Sequence, residues 1–244
     1  MHAMTAVYLR EMLILKRRFK RQLAGMSVSP LLYLIAFGYA MGNTVQMNGH
    51  TYLEFLIPGL IAMNSMTQSF GIATDINVAR FYWFIFEEFQ AAPISNFAYV
   101  SGEVLAGMTR GLISIGVVLT LALPFGVVIH CAPLFWLAAL LNAFVFASLA
   151  VALAMLVKSH ADQSLLSSFV ITPMAFLGGT FFPLERLPLW AQKILFLLPL
   201  THASNAIRAV ALGNTPKWHA FVVLPLTGIV FFTLALHSVN HARD

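Results

Sequence analysis

Residues 169–208 read FVITPMAFLGGTFFPLERLPLWAQKILFLLPLTHASNAIR, and this stretch decides how the chain is organised. An apolar helix runs into three prolines, Pro183, Pro188 and Pro199, which begin or break helices. The residues between the prolines are too apolar for an exposed loop, yet too few to cross a bilayer, which takes about 20 apolar residues. We therefore predict an outer re-entrant segment, 183–217, that contains two short half-inserted helices.

The composition places the rest of the chain in a membrane. Hydrophobic residues make up 59% of the 244 residues and charged residues 9%, whereas soluble domains carry about 25% charged residues. Apolar stretches that show no alternation favour helices over the strands of a membrane barrel. The expected fold is an all-α membrane protein with six transmembrane helices in one domain, 1–244. The predicted spans are 27–45, 55–75, 102–128, 134–157, 164–182 and 219–238.

The N-terminal segment, 4–23, combines a basic cluster with an apolar side, a pattern typical of an amphipathic helix that lies in the membrane interface. Its basic residues are Arg10, Lys16, Arg17, Arg18, Lys20 and Arg21, and its apolar residues are Val7, Leu9, Met12, Leu13, Leu15 and Phe19. The excess of positive charge predicts that both termini are cytoplasmic. A signal peptide is the alternative, but no small-residue cleavage site stands nearby.

The connection after the second span, 76–97, is rich in aromatic residues. Six aromatics lie between Phe81 and Phe89, interrupted by Glu87 and Glu88. Pro93 predicts that a helix ends at or before Ala92. The segment is either an amphipathic connector whose aromatics form an interfacial belt or a docking helix for a cytoplasmic partner.

Small residues predict close helix packing in the third and fourth spans. Gly107 and Gly111 form a GxxxG spacing, and the fourth span is rich in alanine between Ala147 and Ala154. Small residues let helix backbones approach closely. The spacing fits packing within one subunit as well as packing between two.

The sequence holds no recognisable catalytic, cofactor or metal site. No phosphate-binding P-loop and no HExxH pair occurs. The three aspartates are too scattered to hold Mg²⁺, and Cys131 has no second cysteine to pair with. We expect no cofactor in this chain, and we expect it not to be an enzyme.

Two ionisable residues, Glu103 and Arg110, lie within a predicted span, where charge is costly. They share one helix face about two turns apart, so an intramembrane pair is expected, although Arg110 could instead line a polar cavity. No carboxylate lies convincingly at mid-membrane, which argues against ion-driven transport.

Taken together, these segments resemble the permeases of the ABC type-2 transporter family. The resemblance is carried by the basic interfacial helix, by FEEFQAAPIS after the second span, and by FVITPMAFLGGTFFPLERLP followed by LPLTH and AIRAVALG. The ITP, GGTFFP and LPLTH stretches are most similar to the group that exports nodulation factors, drugs and polysaccharides. The resemblance implies an exporter that moves an amphipathic or lipid-linked substrate, such as a drug, glycolipid or oligosaccharide, out across the bacterial inner membrane.

The resemblance also implies partners. Two cytoplasmic ATPase subunits would bind ATP and Mg²⁺, a second permease copy would complete a homodimer, and membrane lipids would surround it, whereas no nucleic acid is expected. The segment 76–97 would be the coupling helix, with Arg80, Phe86, Glu87, Glu88 and Phe89 contacting the ATPase. The outer gate would be formed by Phe181, Phe182 and Pro183.

Other functional classes stay open on the sequence alone. An ion-driven secondary carrier and a non-transporting membrane scaffold could use the same interfacial helix as an anchor. A membrane-embedded enzyme is less consistent, because the constellations of catalytic side chains are missing.

Overall fold

The structure is a computed structural model that describes residues 2–41, 45–47 and 49–241, without the side chains of His2, Tyr39, Glu87 and Gln90. The described residues are almost all helical, as predicted. The helices of the first half are α1 (His2–Arg17), α2 (Phe19–Met41), α3 (Tyr52–Phe70), α4 (Ile72–Phe81), α5 (Ile85–Ala91) and α6 (Asn96–Ala122). Those of the second half are α7 (Pro133–Leu156), α8 (His160–Leu166), α9 (Thr172–Leu177), α10 (Leu189–Phe196), α11 (Pro199–Ala211) and α12 (Ala220–His241). Two short strands, β1 (Gln46–Met47) and β2 (His50–Thr51), pair antiparallel in front of α3.

Three helices in the described part of the chain are long and apolar enough to cross a membrane: Asn96–Phe125, Pro133–Leu156 and Ala220–His241. The bent pair α10 and α11 would make a fourth span if it is counted as one. The predicted spans 27–45 and 55–75 correspond to α2 and α3. The span count of six stays a prediction.

The predicted fifth span, 164–182, is an irregular helix. It consists of α8, a π-helical stretch at Ser167–Ile171, and the six-residue α9. A π-helical turn widens the backbone locally and bends the helix. A turn at Gly178, Gly179 and Thr180 ends the helix, and Gly179 adopts a positive φ of 79° that suits glycine.

The centre of the molecule is α3, which is buried along almost its whole length and packs against α2, α6, α7 and α11. Helices α6 and α7 meet α3 at small residues. A methyl group on Gly107 would lie 2.9 Å from the Cβ of Ala147, and one on Gly111 would overlap the Ser69 hydroxyl. Packing within one subunit therefore accounts for the GxxxG spacing.

The N-terminal segment differs from the predicted 4–23 helix, because α1 ends at Arg17 and Phe19 already begins α2. Its apolar residues also divide between two surfaces. Val7 and Leu15 are buried against the bundle, whereas Leu9 and Leu13 are 53% and 59% exposed. Helix α1 therefore docks on the bundle with one face and leaves a second apolar face uncovered.

The re-entrant segment contains the two short helices that its prolines predicted. Pro188 precedes α10, and Pro199 is the first residue of α11, where a missing N–H costs nothing. The two helices meet at an angle of 94°. A single turn, Leu184–Arg186, connects the preceding loop to α10.

Candidate coupling and gate sites

The aromatic connection folds into a turn and a short helix. α4 ends at Phe81, and the turn that follows contains Phe84 in the left-handed region, with φ of 54°. α5 then ends at Ala91, as Pro93 predicted. A bulky residue at positive φ is uncommon in proteins.

The inner side of α5 is fixed to the bundle by aromatic contacts. Phe86 is buried, and its ring centroid lies 5.7 Å from that of Tyr99 in an edge-to-face arrangement. Phe89 is 5.4 Å from the same ring. Tyr99 is itself buried at the start of α6. These separations are typical of favourable aromatic pairs.

Two arginines from other helices each contact one of these two phenylalanine rings. The guanidinium of Arg10, on α1, lies 5.2 Å from the Phe89 ring, and that of Arg80, on α4, lies 5.4 Å from the Phe86 ring. Such cation–π contacts are favourable when they are partly desolvated. Arg80 also donates to the carbonyl of Ala154 near the C-terminal end of α7, and its burial lowers its pKa below the ordinary value.

The residues assigned to ATPase coupling therefore separate into two sets. Arg80, Phe86 and Phe89 point into their own chain, so little of their surface is free for a partner. Glu88 is exposed. Glu87 lies on α5, but its side chain is outside the described part of the structure.

Sequence reasoning missed the exposed aromatic residues of the turn. Tyr82 is 65% exposed, Trp83 48% and Phe84 60%. These three residues precede α5. A prediction that treats residues 81–89 as one helix could not tell which of the rings face outward. The signal that could have found them is the run itself, since six rings on the nine residues from Phe81 to Phe89 cannot all be buried.

A buried ion cluster lies where α1, α4 and α6 meet. Arg110 on α6 pairs with Asp75 on α4, and its Nη2 lies 3.4 Å from Oε2 of Glu11 on α1. Arg10 Nη1 lies 2.9 Å from Oε1 of the same Glu11. Glu11 and Arg110 are both almost fully buried. Burial raises the pKa of Glu11 above its ordinary value, although Arg10 and Arg110 oppose that shift.

The expected Glu103–Arg110 pair is corrected by this cluster, because the partners of Arg110 are Glu11 and Asp75. Glu103 is buried, and its Oε2 atom has no hydrogen-bond partner. The seven residues between the two side chains correspond to about 10 Å along a helix. The carboxylates of Glu11 on α1 and Asp75 on α4 lie closer to Arg110 than this distance. The spacing of residues along α6 could not reveal them, because they belong to other helices.

Helix α1 also packs against α6 beside the ion cluster. Gly102 lets the two backbones approach, since a methyl group there would lie 2.7 Å from the Cβ of Val7. The hydroxyls of Tyr8 and Thr109 are 3.1 Å apart. α1 and α6 are therefore held together by three contacts: Val7 with Gly102, Tyr8 with Thr109, and Glu11 with Arg110.

The predicted outer gate residue Phe181 lies within an aromatic cluster. Its ring is 5.0 Å from Tyr33, 5.5 Å from Phe37 and 5.4 Å from Phe176. The hydroxyl of Tyr52 donates to the Phe181 carbonyl at 3.0 Å. The cluster joins α2, α3 and α9. The next two gate residues, Phe182 and Pro183, are half-buried.

Arg208 was not among the predicted site residues, yet it anchors the turn at Gly179 and Thr180. From α11, its guanidinium donates to the carbonyls of Phe55 at 3.0 Å, Gly179 at 2.6 Å and Thr180 at 3.4 Å. Its carbon Cζ lies 3.9 Å from the Phe55 ring centroid. Gly59 provides the room, because a methyl group there would lie 2.7 Å from Arg208. The sequence did contain a signal for this role, because Arg208 is a lone cation on a short helix with an apolar face.

Other polar residues near the outer end do not form a metal site. The Nε2 atom of His202 lies 2.8 Å from the Phe196 carbonyl, so this histidine serves a structural contact. Within the described ranges, no three His, Cys, Asp or Glu side chains are placed to hold a metal ion.

Comparison with known proteins matches residues 2–212 to the ABC-2 type transporter family. The chain is 30% identical to the inner membrane transport permease YadH of Escherichia coli strain K12, over 99% of this chain and 96% of that protein. It is 31% identical to nodulation protein J of Rhizobium meliloti, over 86% and 81% of the two chains. It is 26% identical to the daunorubicin resistance permease DrrB1 of Streptomyces coeruleorubidus, over 85% and 75%.

Proposed function

Because this chain belongs to the ABC-2 type transporter family, we propose that it is the permease subunit of an exporter driven by two separate ATPase subunits. The chain is a multi-pass inner-membrane protein and a transport permease. ATP and Mg²⁺ would be bound by the ATPase, and the permease would be a homodimer with both termini in the cytoplasm. One observation carries the proposal: α5 is anchored to the bundle on one side and presents exposed residues on the other.

We place the ATPase contact on the exposed side of this segment. Tyr82 and Phe84 offer apolar surface on the turn, and Glu88 offers charge on α5. Aromatic residues are enriched at the centres of protein interfaces. Glu87, next to Glu88, belongs to the same proposed contact. Arg80, Phe86 and Phe89 act behind it, as the residues that hold α5 to the membrane helices.

Movement of α5 would pass to two other helices. Phe86 and Phe89 bear on Tyr99 of α6, and Arg10 joins Phe89 to α1. The Arg110 cluster then ties α1, α4 and α6 together. A displacement of α5 would strain these contacts. Because close-packed elements do not deform continuously, α1, α4 and α6 would then have to move as a unit. The work comes from the tighter binding of ATP to one state of the ATPase pair.

At the outer end, the same bundle would control an aromatic seal. Phe181 with its aromatic neighbours, and Phe182 and Pro183 beside it, would close the exit by excluding water. Arg208 fixes the turn that carries these residues to α3 and α11. A shift of α3 relative to α11 would therefore move the gate.

The proposed cargo is amphipathic or lipid-linked. Two of the relatives are named for nodulation and for daunorubicin resistance, which supports an exported apolar or amphipathic molecule. An apolar pathway with a few hydrogen-bonding groups would accept a drug, a glycolipid or an oligosaccharide on a lipid.

The test is to purify the chain with an ATPase encoded beside it and to measure nucleotide hydrolysis and substrate export in vesicles. Glu87→Lys with Glu88→Lys should weaken the complex and lower export. Glu185→Lys, which reverses an exposed carboxylate at the outer end, is the control for complex formation and should leave ATPase binding unchanged; export is not compared in this variant, because Glu185 interacts electrostatically with Arg208. Unchanged binding and export in the double variant would refute the coupling surface. Export that follows an ion gradient without ATP would favour a secondary carrier instead.

A further inference from the structure

A groove of about 430 Å³ runs between α1 and the turn that leads into α5. It lies beside the proposed ATPase contact, and it shares with the ion cluster only Arg10, whose Nη1 is paired with Glu11 at 2.9 Å. The groove is lined by Arg10, Leu13, Ile14, Arg17, Arg18, Trp83 and Ile85.

The groove uses its own face of α1. Its residues on that helix recur at intervals of three and four from Arg10 to Arg17, which is the spacing of one helical stripe, and Arg18 follows in the turn after α1. The face that docks on the bundle carries Val7, Glu11 and Leu15. Since the two faces are adjacent but separate, the groove stays open while α1 is docked.

The lining combines cations with an apolar floor. Three guanidinium groups line the groove, and the lining contains no carboxylate. Arg17 and Arg18 are exposed and have no ion-pair partner among the described residues. Leu13 is 59% exposed and Trp83 48% exposed, so the apolar part needs a cover. The matching ligand has a negative head and a hydrocarbon tail.

We propose that this groove binds an anionic phospholipid of the cytoplasmic leaflet. The phosphate would be held by Arg17 and Arg18, with Arg10 deeper in the groove, and an acyl chain would cover Leu13 and Trp83. Arginine pairs well with phosphate, because its planar guanidinium can donate two parallel hydrogen bonds. Tryptophan is enriched at the level of the headgroups.

The surroundings favour a lipid over a protein partner as the occupant. Leu9, on the same helix, is also 53% exposed, which continues the apolar surface beyond the groove. A basic helix with exposed leucines lies in the interface plane, where anionic lipids are abundant. The bound lipid would bridge α1 to the turn at Trp83 and so link the two cytoplasmic segments.

Trp83 provides a direct reporter of occupancy. The chain has four tryptophans, and Trp136, Trp190 and Trp218 are 39%, 68% and 76% exposed, so their replacement by phenylalanine should be tolerated. The full-length single-tryptophan chain is placed in vesicles that contain equal mole fractions of brominated phosphatidylglycerol or brominated phosphatidylcholine. Bromine quenches tryptophan at short range. We expect stronger quenching by phosphatidylglycerol.

Charge variants decide whether the groove causes that preference. Arg17→Gln with Arg18→Gln should lower the preference by more than the roughly fivefold that general surface charge contributes for each basic residue, because it also removes the proposed paired hydrogen bonds to the phosphate. Lys20→Gln with Arg21→Gln removes the same charge from exposed positions outside the groove lining and is the control. It should lower the preference only by that general charge factor, and therefore by less than the groove variant.

Three results would overturn the proposal. These are equal quenching by the two lipids, equal loss in the groove and control variants, and loss of the lipid preference when the ATPase subunit binds. The last result would assign the groove to the protein partner. If the single-tryptophan chain does not fold, mass spectrometry of lipids that co-purify with the native-tryptophan chain and its two charge variants makes the same comparison. Neither readout depends on transport.

Discussion

Replacing Arg110 by methionine should destabilise the protein because it removes the cation of a buried ion cluster. Arg110 and Glu11 side chains are each 3% exposed, and Asp75 is 33% exposed. Breaking a buried pair by removing one partner costs about 3–5 kcal/mol, since the other charge stays buried. We expect about 3 kcal/mol, the lower end of that range, because Arg10 remains 2.9 Å from Glu11.

A second substitution separates buried charge from lost packing. Glu11→Gln added to Arg110→Met removes one of the two carboxylates that lost Arg110 as a partner, so it should recover about 1 to 2 kcal/mol. Glu11→Gln by itself should cost less than Arg110→Met, because Arg110 keeps its pair with Asp75. The pattern is a double-mutant cycle between two residues in direct contact.

The assay is equilibrium unfolding in mixed micelles of dodecyl maltoside and sodium dodecyl sulfate, followed by circular dichroism. Arg21→Met, at an exposed position, is the control and should leave the free energy of unfolding unchanged. A double variant that is no more stable than Arg110→Met would refute the reasoning, since the loss would then come from packing and not from buried charge. Cys131 is exposed, so thiol-reactive dyes would label it in the folded state as well as in the unfolded state and could not follow unfolding.

Three further predictions use the same chain. Gly102→Ala places a methyl group 2.7 Å from the Cβ of Val7 and should lower the free energy of unfolding by about 1–3 kcal/mol; Val7→Ala in the same chain should restore part of it in the same titration. Arg208→Lys loses the forked contact to several carbonyls, among them that of Thr180, which should cost about 2 kcal/mol and speed protease cleavage at the outer turn. Burial raises the pKa of Glu11, so this carboxyl holds its proton more tightly in the folded chain than in the unfolded one. The free energy of unfolding should therefore fall as pH rises from the ordinary glutamate pKa through the raised one. Unfolding measured across this pH range in both chains should show a smaller slope for Glu11→Gln.

Some features of the candidate sites were predictable because they depend on local chemistry. Pro93 ended α5 where expected, and Pro188 and Pro199 began α10 and α11. Proline acts on its own backbone and on the residue before it, so its effect does not require knowledge of the fold. The irregular shape of the predicted fifth span, 164–182, was not predicted, because no proline or glycine lies within the π-helical stretch at Ser167–Ile171.

Other features depended on neighbours that are distant in sequence. The partner of Arg110 was expected at Glu103, seven residues away, but the cation pairs with Glu11, which is 99 residues away, and with Asp75. Phe86 and Phe89 were expected to face a partner protein, but they pack on Tyr99. A charge or ring on one helix takes whichever partner the packing of other helices brings closest.

The sequence by itself determined that this chain is a helical membrane protein, because apolar length, basic clusters and proline positions act locally and need no tertiary information, and its motifs resemble those of the ABC-2 type permeases. Only the tertiary structure decided which side of α5 is anchored, that Arg208 holds the outer turn, and that α1 presents a second, basic and apolar face. Those outcomes arise from the packing of α1, α3, α6 and α11 around one another. The energy of a buried charge or ring depends on what surrounds it, and that environment is created by the fold.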